Sequence, residues 1–140
     1  VTGTAQRWTR PIPAWAAPLD STALHDLLER VRGWQPFDGC ALLDDVAAAL
    51  DDVFPAEEDT AQLAERLRAH LARLATIAVA SEAEQDPTAA QLVLRARTLH
   101  ADPLPCGRQE AAIAHLRRLG WTANELHDRL VAIRCLKEAA

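Results

Sequence analysis

The stretch "LAERLRAHLARLATIA", residues 63 to 78, decides the fold. Leu63, Leu67, Leu71 and Leu74, followed by Ala78, recur every three or four positions. That is the period of one face of a helix, and the alternation of two that marks a strand is absent. Asp59 is the expected opening of this helix, with Gln62 three residues on in capping-box position. The pattern runs to about Ser81, a rod about 33 Å long. His70 falls on the apolar stripe between Leu67 and Leu74, where a half-buried, hydrogen-bonded imidazole is expected.

The same period extends in both directions. Asp20 or Ser21 caps a helix to about Arg32, with Leu24, Leu27, Leu28 and Val31 as its apolar stripe. Gly33 and Pro36 end it. Asp38 caps a second, with Leu42, Leu43, Val46, Leu50 and Val53 on one face and Pro55 as its stop. After the turn "SEAEQDP", Asp86 caps a fourth helix whose first position is Pro87, where a missing N–H costs nothing. Its inward residues are Leu92, Val93, Ala96 and Leu99. A fifth helix is expected from about Arg108 to Leu119, with Gly120 as its stop. Thr122 and Glu125 then read as the capping box of a sixth, with Leu126, Leu130 and Ile133 inward. The expected fold is all-α: a compact bundle of about five to six helices, residues 21–140 forming one helical domain. Residues 1–20 hold Pro11, Pro13 and Pro18 and read as an extended arm that lays Trp8 and Trp15 across the bundle.

Composition agrees. The chain of 140 residues is long enough for one core. Its apolar residues are mostly Ala, Leu and Val, with no Tyr or Met, so the core must be packed from aliphatic side chains, two of which are strong helix formers. No stretch reads as a signal peptide or a membrane span; the most apolar run, 71–80, is short and contains Arg73. Three widely spaced cysteines (Cys40, Cys106, Cys135) make no disulfide framework, so reduced thiols and a cytoplasmic location are expected. The net charge of −5 argues against non-specific nucleic-acid binding. It is unevenly spread. Residues 1–86 carry seven basic and fifteen acidic side chains, residues 87–140 eight and five, which leaves a cationic C-terminal half suited to an acidic partner.

Three segments, "LLERVRGWQPFDGCALLDDV" (27–46), "LAERLRAHLARLATIA" (63–78) and "HLRRLGWTANELHDRLVAIRCLK" (115–137), resemble a family of small actinobacterial proteins of unknown function. Some of its members are labelled natural product biosynthesis protein. His115, Arg117, Arg118, Gly120, Trp121, Glu125, Leu126, Arg129 and Leu130 carry the resemblance, which covers about residues 20–137. It implies a setting beside specialised-metabolite genes and supplies no activity, cofactor or catalytic residue.

The residues themselves assemble no reaction centre. The five histidines lack the local spacing of a metal site: His100, Cys106 and His115 are too far apart in sequence, and His115 and His127 would have to meet across two helices. Cys106, just before the fifth helix, is the best-placed thiol but has no base within reach. Neither metal nor cofactor is expected. The acid pairs Asp44-Asp45 and Asp51-Asp52 and the run Glu57-Glu58-Asp59 read as a solvated rim. The candidate binding residues are Arg117, Arg118 and Trp121 at the Gly-Trp corner, with His115, His127 and Arg108: arginine forks for carboxylate or phosphate, and an indole for apolar contact. A DNA-reading helix-turn-helix ranks below this, because the helix after the corner would offer Glu125 and Asp128 to the phosphates. The expected function is a non-catalytic accessory or protein-interaction module, its partner a protein or a second copy. The alternative is a small enzyme or binder of a small anionic or apolar ligand, with a pocket between helices.

Overall fold

Asp20, Asp38 and Asp86 each end an irregular stretch and start a helix. The carboxylate of each accepts a backbone N–H of the first turn, from Ala23 at 2.7 Å, Ala41 at 3.0 Å and Ala89 at 2.8 Å. Such a bond satisfies one of the donors that a helix N-terminus leaves open. A computed structural model of the chain describes residues 20–138. These form α1 (Ser21–Arg32), α2 (Gly39–Leu50), α3 (Glu57–Ala80), α4 (Pro87–Ala101) and α5 (Gln109–Ala132), with one 3₁₀ turn at Ala83–Gln85. There is no strand among the described residues. The Pro/Trp arm lies outside them, in residues 1–19.

The chain divides into two units between Pro36 and Phe37. In the first, α1 is a capped amphipathic helix closed by Gly33, whose N–H donates to the Glu29 carbonyl. Its stripe of Leu24, Leu27, Leu28 and Val31 was expected to face a core, yet no residue of α1 is buried. The second unit has its own core, built without α1. There α5 packs against α2, α3 and α4, and α3 packs against α2 and α4, so α3 and α5 are the central pair. Leu67, Leu71 and Leu74 of α3 and Leu116, Leu119, Leu126 and Leu130 of α5 are all sealed from solvent.

Expected boundaries moved, each for a physical reason. α3 begins at Glu57 rather than Asp59. Ala56 sits at the cap position without a side-chain bond, and Glu57, Glu58 and Asp59 fill the first turn, where negative charge complements the helix dipole. The larger difference is at Gly120. The expected stop there, and the capping box at Thr122, do not form: α5 runs unbroken through both. Gly120 lies against α2, where a Cβ would stand 3.1 Å from the Ala49 Cβ and 3.6 Å from the Leu50 side chain. The glycine clears room for a second helix. Thr122 is buried, so its side chain is not an exposed cap. The helix ends later, after Ala132. Arg134 takes a left-handed φ of 62°, and the N–H of Cys135 returns to the Leu130 carbonyl at 2.8 Å.

Polar bonds tie the layers. Asp45 of α2 accepts from Arg66 Nε at 3.0 Å and contacts His70 Nε2 at 3.0 Å, both on α3. His70 is thus the half-buried, hydrogen-bonded residue expected. Asp86 caps α4 and also takes the guanidinium fork of Arg129 from α5, with Nε at 2.9 Å. The Arg129 hydrogen bond, followed by that from the Ala89 N–H, holds the Asp86 carboxyl down at about 2.

The Gly120 contact yields a test. Gly→Ala inside a helix normally gains about 1 kcal/mol of stability. Here Gly120→Ala should lose stability, by about 1–3 kcal/mol, because Ala49 is a stub on a packed helix and cannot rotate away. Adding Ala49→Gly should recover much of the loss. Urea denaturation of the three variants checks this; a Gly120→Ala protein more stable than wild type would mean that the helices do not meet there.

Candidate functional site

An unbroken α5 sorts its side chains by angle. One face is core. The opposite face carries Arg117, Arg118, Trp121, Asn124, Glu125 and Asp128, which share a side of the helix at spacings of three and four. Trp121 is 57% exposed, although Gly120 and Thr122 on either side of it are buried. Arg117 precedes it by one turn. The Arg117 guanidinium lies over the Phe54 ring, 5.2 Å from its centroid, and its Nη2 donates to the Asp51 carbonyl at 3.4 Å. Phe54 is 56% exposed and Val53 77%. The rigid helix thus carries one indole and two arginines, with the Phe54 ring under Arg117 and Val53 next to it in the chain. Arg118 is exposed, with no ion pair among the described residues.

Phe54 and Val53 were not foreseen here. Val53 was expected on the buried face of α2, but α2 ends at Leu50 and Asp51 turns the chain outward, its Oδ1 accepting the Val53 N–H at 3.1 Å. The signal was present as two acids just before Pro55, a composition that favours leaving a helix.

Only part of the expected set comes together. Arg117, Arg118 and Trp121 share the exposed face. Arg108 sits at the cap position of α5, about 20 Å along the axis from Trp121. His115 and His127 are interior residues, 2% and 4% exposed. The approach across two helices that a shared site would need does not arise, because on one helix twelve positions separate them by about 18 Å. His127 lies beside Phe37, with ring centroids 6.3 Å apart. The Nε2 atoms of both histidines, and Arg68 Nε, are buried with no hydrogen-bond partner among the described residues. Cys106 is exposed, its Sγ 3.6 Å from the Leu104 carbonyl, and Cys135 packs at the edge of the core. No group of three or more His, Cys, Asp or Glu among the described residues is placed to hold a metal ion. No described helix is long and apolar enough to cross a membrane.

A second feature lies between α3 and α4. It is a half-open groove of about 510 Å³ with Leu71, Ala75, Val79 and Ala96 in its walls and Arg97 and His100 on the α4 side.

These features define a class: a bundle of helices with an aromatic and arginine face on one long helix, and no metal centre among the described residues. Within that class the chain belongs to DUF6415, a family of unknown function whose model matches residues 40–135, from the start of α2 to just past α5. No curated protein and no solved structure matches the chain.

The buried His115 makes the protein sensitive to acid. Burial pushes its pKa below the ordinary 6.5, Arg118 and Arg68 act in the same direction, and Asp102 opposes them. The folded state therefore holds a neutral imidazole. As pH falls below 6.5, the unfolded chain takes up a proton that the folded chain refuses, and stability drops. His115→Leu should remove this part of the acid loss, so that variant and wild type diverge in the variant's favour below pH 6.5. Denaturation midpoints on both sides of that pH check it; parallel curves would show that His115 titrates normally.

Proposed function

We propose that this chain is a non-catalytic interaction module of the cytoplasm, serving actinobacterial specialised metabolism or its regulation, and that it recognises a protein through the Trp121 face. One observation carries the reading: a tryptophan more than half exposed, on a helix otherwise locked into the core, one turn from an arginine that lies over an equally exposed phenylalanine. Exposed aromatic clusters on a rigid element are a feature of protein contact sites. In this reading the indole and phenyl rings supply affinity by losing water. The two guanidinium groups orient an acidic partner, and the Arg117 fork is already held by Phe54 and the Asp51 carbonyl. The resemblance to actinobacterial proteins supports the setting.

The groove between α3 and α4 favours a second reading, a small apolar ligand with an acidic end directed at Arg97 and His100. One variant separates the two. Trp121→Ala should keep the helical circular dichroism of the wild type and lose the protein captured by it from an actinobacterial lysate. If capture survives while filling the groove with Ala75→Trp removes a bound small molecule, the groove is the working site.

A further inference from the structure

The exposed face of α5 has an order that a list of its residues conceals. Reading toward the C-terminus it runs from cations through an aromatic to a polar amide and acids: Arg117 and Arg118, then Trp121, then Asn124, Glu125 and Asp128. Arg117 lies four residues before Trp121 and Glu125 four after; Arg118 lies three before and Asn124 three after. Spacings of three and four are the two neighbour rows of a helix surface, and both rows cross at Trp121.

From this symmetry we propose that the face pairs with the same face of a second copy, the two α5 helices lying antiparallel about a two-fold axis through Trp121. This deepens the interaction reading above and rests on it. In such a pair each residue stands level with those about the same distance beyond the axis on the other chain, and of these it faces the one on its own side of the seam. Arg118 of one copy then faces Glu125 of the second copy, twice by symmetry. Arg117 faces Asn124, and the two indoles close on each other at the centre. A self-complementary patch of this kind is what a closed two-fold interface requires. The charge order also sets direction, because a parallel pairing in register would set the arginines of one copy against those of the other.

The local structure favours the arrangement. Phe54 and Val53 extend the apolar area on the Arg117 side. Glu125 is engaged at 3.0 Å by Arg95 of α4, but both partners are about half exposed, and such a pair contributes little and yields readily. Arg118 is exposed and makes no ion pair among the described residues, so its charge is uncommitted. A foreign partner would have to reproduce the same acid–aromatic–base order by coincidence; a second copy carries it by construction.

Sedimentation velocity of the full chain tests the proposal. The expected result is a monomer–dimer equilibrium in the micromolar range, abolished by Trp121→Ala. Arg118→Glu and Glu125→Arg should each raise the dissociation constant at least about tenfold, since each places like charges together at both ends of the axis. An equimolar mixture of the two single variants should restore dimer, because every contact then pairs opposite charges. A wild-type chain that stays monomeric into the millimolar range overturns self-pairing, whatever else covers the patch. So does a mixture that pairs no better than either variant alone. Failure of the broader reading is distinguishable: Trp121→Ala would then leave every contact of the chain unchanged, with itself or with any other protein.

Discussion

The molecule turns on the contact between Gly120 of α5 and the end of α2. A missing side chain there lets two helices approach until a methyl group would be crowded at 3.1 Å. The contact explains why a glycine is tolerated inside a helix, where it costs about 1 kcal/mol relative to alanine. It also explains the surface. With α2 seated at Gly120, the chain leaving α2 after Leu50 is delivered beside Arg117, and the Asp51 carbonyl and Phe54 ring receive that guanidinium. Trp121, one residue further on, is turned outward. Core packing and the candidate contact face are thus set by one close approach.

Much of the fold is legible in the sequence because it is written in local terms. Asp20, Asp38 and Asp86 are caps in the structure as in the sequence, since an N-cap bond spans three residues and needs no partner from elsewhere. The leucines of α3 are buried as their spacing requires. Gly120 was misread because a glycine that ends a helix and a glycine that admits a neighbouring helix look alike along the chain. Only the position of Ala49, more than seventy residues upstream, distinguishes them. Thr122 and Glu125 completed the error by imitating a capping box. In the fold Thr122 is interior and Glu125 is bound to Arg95 across to α4.

The candidate site was legible in proportion to its dependence on α5 alone. Arg117, Arg118 and Trp121 share a face through helical spacing, which sequence carries. Phe54 and Val53 reach it through the end of α2, a tertiary fact. The histidines mislead in the opposite sense. A polar residue at a core position resembles a functional one until burial is known, and His115 and His127 prove to be interior groups. Their unpartnered nitrogens cost stability rather than offering a ligand site, because a buried polar atom without a hydrogen bond has lost its water and gained nothing.

The account stands most directly on the continuity of α5. Spin labels at the exposed positions Glu110 and Asp128, with Cys40, Cys106 and Cys135 changed to serine, would measure it by pulsed dipolar spectroscopy. An unbroken helix predicts a single narrow distribution corresponding to a Cα separation of about 27 Å. A clearly shorter or divided distribution would mean that the chain turns at Gly120, and the packing against α2 and the face built on it would both be wrong.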